Sequence, residues 1–472
     1  VALGHPPVGE RVDIAVAAYH PASARQELEE AQAAFDYTVF GSFSNAHSDE
    51  NSGSALFGSQ SRTIPFELGV RNRNTWGGEA ALSWSLTRMT DNSAFTQPEP
   101  RYESITSLEL TQPLLRFAGP AYNLAGVHLA QVGEQVAYSQ FRQRVEETLS
   151  GVFELYWSLV GARENVRIQR RLLDRTMETL DQVKGRGGLD ATKVVISQTA
   201  AAVASRRAAL VTARKAVLDV QDQLARLLAD RRLTPVELVV IEPTSKPTTD
   251  EVVADPAEQL VAALRNSPML EQARLAIEAA EINVRIARNE TLPVLNFVAS
   301  LDIQGLQQEG EEAVEEMLTT EYFSHSWGFN FEYPLGNRAA LAALRRRKLE
   351  RLQSVSELQN AADQVAVSVQ EAFRQIVTSK RELESQLEAV RASREQLQAL
   401  DALEKKLAQL TPEFMQVKLQ AQESLARAQS ASIQAAADYR TALARLARVT
   451  GTILQQNGIK LAVEEVMAPS AD

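Results

Sequence analysis

The feature that most constrains this chain is an alternating aromatic segment that passes directly into the pattern of a very long helix. Between Phe323 and Tyr333 every second residue is bulky, and small or polar residues fill the positions between them. This period of two predicts a strand whose faces meet different surroundings. The bulky positions are Phe323, His325, Trp327, Phe329, Phe331 and Tyr333. Because aromatic side chains gather where barrel strands cross the lipid interface, the pattern favours a membrane strand.

The segment that follows has the pattern of a continuous helix. From Asn337 to Thr411 the chain contains neither Pro nor Gly, and apolar residues recur every three or four positions. About 70 helical residues, with a rise of about 1.5 Å each, would form a rod of about 105 Å. Such a rod is much longer than the width of a globular domain. We therefore expect a membrane strand joined to a long helix.

The first half of the chain has the same order of patterns. An irregular lead over residues 1–20 precedes a short helix that starts at Pro21, and a first strand includes Phe35 to Phe43. A hairpin over 64–89 and a strand over 102–110 follow, then a long helix over 121–184, a glycine turn and a return helix over 190–230. The second half repeats this order with a helix over 256–290, a strand from Leu295, an acidic loop over 305–320 and the segment described above. We interpret the repeated order as an internal duplication.

These patterns predict a fold that is mostly α with a β-barrel portion, arranged in eight segments. The predicted segments are an N-terminal lead and short helix (1–34), first-repeat membrane strands (35–119), a first long α-hairpin (120–230), an inter-repeat linker (231–255), a second-repeat short helix (256–291), second-repeat membrane strands (292–336), a second long α-hairpin (337–450) and a C-terminal tail (451–472).

Composition excludes several functions. The formal net charge is −11 and there is no strongly basic tail, which argues against nucleic-acid binding. The chain has no cysteine, and its five histidines are scattered without a paired carboxylate. We therefore expect no disulfide, no metal site, no cofactor and no catalysis. No run approaches the roughly 18 to 20 apolar residues of a membrane helix, so strands would have to make any membrane crossing. No signal peptide is visible at Val1.

The small number of strands bears on assembly. A protomer with four to six membrane strands cannot close a barrel, because the smallest barrels have about eight strands. Since unpaired strand edges are not tolerated in lipid, several copies would have to share one barrel. Two classes of function remain open from the residues alone. One is a membrane conduit, and the other is a structural coiled-coil fibre or tether with a small β head.

Four motifs carry a family resemblance. They are Leu110-Thr-Gln-Pro-Leu-Leu115, Leu292-Pro-Val-Leu295, Phe331-Glu-Tyr-Pro-Leu-Gly336-Asn337, and the closing segment from Ala437 to Gly451. In this order, and duplicated, they resemble the strand exits, strand entry and closing helix of the TolC-like outer-membrane efflux channel family. The resemblance covers nearly the whole chain.

The resemblance implies a homotrimer in the bacterial outer membrane. Its twelve-stranded barrel would continue into an α-helical barrel that extends through the periplasm. The implied function is a passive exit duct of a tripartite efflux or type I secretion system, which exports small molecules or polypeptides. The implied partners are a periplasmic adaptor protein and an inner-membrane pump of the RND or ABC type.

The resemblance also points to candidate site residues. The adaptor-contact tips would be Gly187, Gly188 and Leu189, and Leu407, Ala408 and Gln409. Gly187 stands where the family usually has Val, and the second tip lacks the expected Gly. Aperture candidates are Val194 and Phe414 at the family's positions, with Asp190, Asp401 and Glu413 as possible sources of charge. Membrane-facing candidates are Phe323, Trp327, Phe329, Phe331, Tyr333, Leu82 and Trp84. Whether the 64–89 hairpin joins the barrel wall stays open.

Overall fold

The computed structural model of the protein describes residues 12–49, 60–93, 97–185, 193–228, 240–245, 255–406 and 411–461. It divides the chain into two compact units. The helical unit comprises Val1–Ala22, Ala137–Gln272 and Leu358–Asp472. The sheet unit comprises Ser23–Val136 and Ala273–Glu357.

The sheet unit contains one antiparallel sheet. Its described strands are β1 (Thr38–Phe43), β2 (Ala46–Asp49), β3 (Gln60–Arg73), β4 (Glu79–Asp91), β5 (Arg101–Pro113), β6 (Val294–Gln307) and β7 (Tyr322–Glu332). The order across the sheet is β1-β3-β4-β5-β6-β7, and β2 also pairs with β3. The 64–89 hairpin therefore lies within the sheet, as β3 and β4. Strands from the two halves of the chain meet where β5 pairs with β6.

Helices make up most of the described chain. They are α1 (Val12–Gln32), α2 (Pro120–Asn123), α3 (Ala125–Gly185), α4 (Lys193–Leu228), α5 (Pro256–Asn266), α6 (Pro268–Asn289), α7 (Gly310–Leu318), α8 (Arg338–Glu404), α9 (Pro412–Val449) and α10 (Ile453–Gln456). The two long helices that the sequence predicts are present, with 61 residues in α3 and 67 in α8. Within the described part of the chain, no helix combines the length and apolar character of a membrane span.

Small residues allow close packing in the helical unit. Ala372 and Ile376 of α8 form one buried cluster with Tyr439, Ala442 and Leu446 of α9. The pairing of an alanine on each helix with larger side chains lets ridges of one helix enter grooves of the other. The apolar stripes predicted for the long helices thus form the core of this unit.

Three predictions about where helices and strands begin and end are wrong. The predicted irregular lead extends to residue 20, but α1 begins at Val12 and contains Pro21 in its interior. The single helix predicted over 256–290 is broken between α5 and α6. Ser267 there has an extended backbone, as is usual for the residue before a proline. Phe35, predicted to begin the first strand, lies in a short 3-10 helix, Ala33–Phe35.

The prediction of an acidic loop over 305–320 is also wrong. Strand β6 continues to Gln307, and α7 occupies most of the remaining segment. Glu311 and Glu312 lie in the first turn of α7, where carboxylates interact favourably with the helix dipole. Ala313 and Met317 are buried, four residues apart on one face of the helix. The high acidic content of the segment concealed this helical spacing.

Candidate functional site: a two-faced sheet

One face of the sheet is mainly apolar, although Arg62, Arg88, Ser104, Thr106 and His325 also lie on it. Directly opposed residues of antiparallel strands project from the same side of a sheet, so the register assigns every position to a face. Val39, Val70 and Leu82 are successive partners across three strands, and Leu82, Leu108 and Leu301 continue the same row. The apolar face consists mainly of Val39, Phe43, Ile64, Phe66, Leu68, Val70, Leu82, Trp84, Leu86, Leu108, Leu110, Leu295, Phe297, Leu301, Ile303, Phe323, Trp327, Phe329 and Phe331.

The opposite face, which we call the polar face, carries hydroxyl, amide and charged groups. Ser107 donates to Asp302 across β5 and β6 at 2.6 Å, and the hydroxyls of Ser300 and Ser326 lie 3.0 Å apart. Carboxylates outnumber guanidinium groups on this face. The carboxylates are Glu67, Glu79, Asp91, Glu103, Glu109, Asp302 and Glu332, and the guanidinium groups are Arg71, Arg73 and Arg101. The polar face is therefore acidic.

Much of the apolar face is exposed in the protomer. The exposed fraction is 69% for Trp327, 67% for Phe331 and 68% for Val39. A continuous apolar surface of this kind marks a region that meets another protein or a membrane. Aromatic pairs reinforce it, since the rings of Trp327 and Phe329 lie edge to face with centroids 6.5 Å apart.

The predicted membrane-facing residues all belong to this face or continue it. Phe323, Trp327, Phe329, Phe331 and Leu82 are exposed, and so is Tyr333, directly after β7. Trp84 is half-buried. Its indole N–H donates to Ser104 Oγ at 3.0 Å, and its ring meets Phe66 edge to face with centroids 5.9 Å apart. The structure thus brings these residues onto one surface, and their contact with lipid stays a prediction.

Helix α7 packs on one end of the apolar face. The hydroxyls of Ser104 and Thr106 donate to the sulfur of Met317 at 3.3 and 3.2 Å. Gly305 of β6 lies directly beneath the helix, and a Cβ at this position would be 2.1 Å from the carbonyl oxygen of Ala313. Close approach of the helix to the sheet therefore requires glycine here.

Asparagine side chains fix the two junctions at which a strand is followed by a long helix. After β5, the side-chain amide of Asn123 donates to the carbonyls of Phe117 at 2.9 Å and Gly119 at 3.0 Å. After β7, the buried Asn337 donates to the carbonyl of Thr291 at 2.9 Å. These bonds satisfy backbone carbonyls where the strand ladder ends. Asn337 closes the second exit motif of the family resemblance, and Asn123 lies beyond the end of the first, at Leu115.

The predicted tip residues lie outside the described residues. These are Gly187, Gly188, Leu189, Leu407, Ala408 and Gln409, together with the aperture candidate Asp190. Nearby, Val183, Val195 and Met415 form a buried apolar cluster that joins α3, α4 and α9. Of the two aperture candidates at the family's positions, Phe414 packs partly against this cluster, whereas Val194 is 57% exposed.

The charged aperture candidates differ in their surroundings. Asp401 lies 3.4 Å from the ammonium nitrogen of the buried Lys418, which also pairs with Glu404. Lys418 therefore joins the last turns of α8 to the first turns of α9. Glu413 is exposed in the first turn of α9. Thr411 caps this helix, and its hydroxyl accepts a hydrogen bond from Phe414 N–H at 3.2 Å. The assignment of these residues to an aperture stays a prediction.

A buried arginine that sequence reasoning missed connects three helices. Arg206 of α4 donates to Gln422 Oε1 and to the carbonyl of Leu419, both at 2.8 Å, and it also bonds Thr176 of α3. Burial of the guanidinium lowers the pKa of Arg206, an effect that Glu423 partly opposes. Arg206 and Arg207 are adjacent in sequence, and only the packing of α3 and α9 distinguishes them.

The chain shares its fold, an antiparallel sheet whose strands lead into long helical hairpins, with solved outer-membrane channels. Residues 260–452 match the family model described as outer membrane efflux protein. This match and the fold confirm the family resemblance predicted above, and the description of the family agrees with the predicted outer-membrane location. Comparison with curated protein sequences gives no match.

Three solved structures illustrate the shared fold. The outer membrane protein VceC of Vibrio cholerae superposes with a TM-score of 0.67 and 16% identity, covering 94% of this chain and 93% of VceC. The open state of the MtrE outer membrane channel of Neisseria gonorrhoeae superposes with a TM-score of 0.68 and 15% identity, covering 94% of this chain and 87% of MtrE. The CmeC outer membrane channel of Campylobacter jejuni superposes with a TM-score of 0.68 and 14% identity, covering 94% of this chain and 84% of CmeC. At these identities the likeness establishes the fold.

Proposed function

We propose that the protein is a passive exit duct in the outer membrane, built as a homotrimer, with the apolar face of the sheet against lipid and the polar face around water. The observation that carries this proposal is the two-faced sheet, which is apolar and exposed on one side and hydrophilic on the other. Alternation of this kind is what a membrane barrel wall requires. The family model and the shared fold support it.

Energetic considerations favour assembly over a free protomer. Burial of one large apolar side chain stabilises by about 1.5 to 3 kcal/mol, whereas an exposed ion pair contributes about 0 to 1 kcal/mol. Burial of the exposed apolar face would therefore contribute more free energy to assembly than the surface ion pairs of the long helices. Because unpaired strand edges cost several kcal/mol in lipid, the sheet would close through further copies of the chain.

The acidic polar face bears on what passes through the duct. Carboxylates that line a water-filled path attract cations and repel anions. We infer a conduit that favours cationic or neutral solutes over anionic ones at its membrane end. The energy for export would come from an inner-membrane pump of the RND or ABC type, joined to the duct by a periplasmic adaptor. Small molecules and polypeptides both fit a passive duct of this kind.

The proposal is tested by expression in a Gram-negative host and fractionation of its membranes. We expect the protein in the outer-membrane fraction, as a detergent-soluble oligomer that separates into protomers only after heating. Reconstitution in planar bilayers should give discrete current steps with cation preference. A protein that purifies as a soluble monomer without detergent would contradict the proposal and favour a fibre or tether with a β head.

A further inference from the structure

Within the described part of the chain, the sheet ends in two edge strands, and each edge is long enough to cross a membrane. Among the described strands, β7 has a strand neighbour only in β6, while β1 and β2 have one only in β3. We propose that β7 of one copy pairs with the β1–β2 segment of the next copy, so that each protomer contributes six strands to the wall. This inference rests on the proposed function, because three copies would then enclose an eighteen-stranded barrel.

Strands β1 and β2 act as one strand. The register of β1 against β3 passes to β2 without a shift, from Phe43 opposite Phe66 to Ala46 opposite Thr63. The interruption lies opposite Pro65, which has no N–H for the ladder. The N–H of Ser44 still donates to the carbonyl of Pro65 at 3.2 Å. Residues 38–49 therefore form a continuous edge that matches the 11 residues of β7 in length.

The directions of the strands allow the two edges to pair. Each strand in the sheet is antiparallel to its neighbours. With six strands in alternation, the last strand of one copy and the first strand of the next run in opposite directions and can continue the antiparallel ladder. If the β1–β2 segment were left out, five strands would remain and the junction would be parallel. An even number of strands is the rule in bacterial barrels of one chain.

A twelve-stranded barrel, which the family resemblance implies, would require four strands per copy. The edge of β4 would then have to meet the neighbouring copy. That edge is already paired with β3 along its whole length, from Arg73 opposite Glu79 to Ser61 opposite Asp91. Leu68 and Val70 of β3 also continue the apolar face beyond Trp84 and Leu82. Separation of β3 from β4 would expose both edges.

The faces of the sheet match across the proposed junction. On β1, Val39 and Phe43 are exposed on the apolar face, and on β7, Phe323, Trp327 and Phe331 are exposed on the same face. Edge-to-edge pairing of copies keeps these side chains on one side of the wall. The result is a continuous apolar band outside and a continuous polar lining inside.

The inferred wall is wide. Barrel diameter grows about linearly with strand number, so eighteen strands with a spacing of about 4.8 Å and a tilt of about 40° give roughly 36 Å between opposing backbones, against roughly 24 Å for twelve. Barrels of 16 to 18 strands leave an aqueous channel. The membrane end of this duct would therefore admit bulkier cargo than a twelve-stranded wall.

Cysteine cross-linking tests the junction directly, because the chain has no cysteine of its own. Ser326→Cys on the polar face of β7 is combined, one pair at a time, with cysteine at Thr38, Phe40, Ser42, Ser44 or Ala46, the same-face positions of the β1–β2 segment. Membranes that contain the oligomer are oxidised with copper phenanthroline. We expect at least one pair to give covalent trimers, and none larger, on denaturing gels.

Two control pairs make the outcome decisive. Ser300→Cys with Ser326→Cys should close within one chain, since the two hydroxyls lie 3.0 Å apart, and this pair reports whether the face is accessible to the oxidant. Ser85→Cys with Ser326→Cys reports a junction of β4 with β7. Cross-linking of this last pair between copies overturns the inference, as does failure of all five test pairs while the Ser300 pair closes. Electron microscopy of the purified oligomer should count eighteen strands, and a count of twelve contradicts the inference. Absence of any membrane oligomer before oxidation contradicts the proposed function instead.

Discussion

Arg206 Nη1 and Gln422 Oε1 lie 2.8 Å apart, and the hydrogen bond between them joins α4 to α9 in the interior of the helical unit. The same guanidinium bonds Thr176 and the carbonyl of Leu419. Removal of one member of a buried polar network leaves the others without partners, which costs more than the loss of the bonds themselves.

We therefore expect Arg206→Ala to lower the free energy of unfolding by about 2 to 4 kcal/mol. The exposed neighbour Arg207 provides a matched control, since Arg207→Ala removes the same charge from the same helix. The control should change stability by less than about 0.5 kcal/mol. Denaturant titration of the detergent-solubilised protein, followed by circular dichroism, measures both. Equal effects of the two substitutions would contradict a structural role for the buried guanidinium.

The buried carboxyl group of Glu146 should make the stability of the helical unit depend on pH. Its carboxyl group is buried, and burial raises the pKa of Glu146 even though the Arg142 guanidinium, whose Nε lies 3.0 Å away, opposes the shift. A raised pKa means that the folded state keeps its proton over a range in which the unfolded state has lost it. The stability contributed by this group is therefore complete below the unfolded pKa and is lost as pH rises through the folded pKa.

Glu146→Gln tests this dependence because the amide mimics the protonated carboxyl group. Relative to wild type, we expect the variant to gain stability as pH rises from below the ordinary glutamate pKa, near 4.5, toward neutrality. Below that pKa the two proteins should be equally stable, which serves as the internal control. The measurement is the midpoint of thermal unfolding at a series of pH values. A stability difference that does not change with pH would show that the carboxyl group titrates alike in both states.

The aromatic row and its neighbours test the orientation of the sheet. Trp327 lies on the apolar face and Ser326 on the polar face, one residue apart in β7. If the apolar face meets lipid, Trp327→Asp should cost about 2 kcal/mol or more. Ser326→Asp should be tolerated, because the polar face already carries carboxylates. The measurement is the yield of heat-dissociable oligomer in the outer membrane, which should be lower for Trp327→Asp than for Ser326→Asp. A lower yield for Ser326→Asp would mean that the polar face, and not the apolar face, meets lipid.

The sequence predicted a large part of this architecture, and the parts it missed have identifiable causes. Strands β5 and β7 and helices α3 and α8 were predicted because long uninterrupted periodicity has few alternative interpretations. Helix α7 was missed because four glutamates within nine residues suggested a loop. The role of Arg206 was hidden because burial depends on which helices pack around it.

The membership of β3 and β4 in the sheet could not be settled from the sequence. Strand alternation shows that a hairpin exists, but the pairing partner of its outer edge depends on contacts between segments that are distant in the chain. Likewise, the pairing of β5 with β6 joins residues almost 200 positions apart, such as Ser107 and Asp302. Local patterns carry no information on such pairs.

The aperture candidates can be ranked by their charge environment. Asp401 is partly neutralised by Lys418, whereas Glu413 has no ion pair among the described residues. If both carboxylates line the narrow end of the duct, we expect Glu413→Gln to lower the cation preference more than Asp401→Asn does. Reversal potentials in a salt gradient across a planar bilayer measure this preference. If neither substitution shifts the reversal potential, the aperture lies elsewhere.

Gly305 and Gly328 provide a final test of how α7 sits on the sheet. A Cβ at Gly305 would lie 2.1 Å from the carbonyl oxygen of Ala313 and 2.6 Å from the amide nitrogen of Met317, so Gly305→Ala must displace the helix. Overpacking of this kind costs about 1 to 3 kcal/mol. A Cβ at Gly328, in the adjacent strand, would meet no atom within 4 Å. Gly328→Ala should therefore leave both stability and protease resistance unchanged, whereas Gly305→Ala should expose the acidic helix to cleavage by a glutamate-specific protease. Equal resistance in the two variants would show that α7 does not pack on the sheet in the membrane-inserted protein.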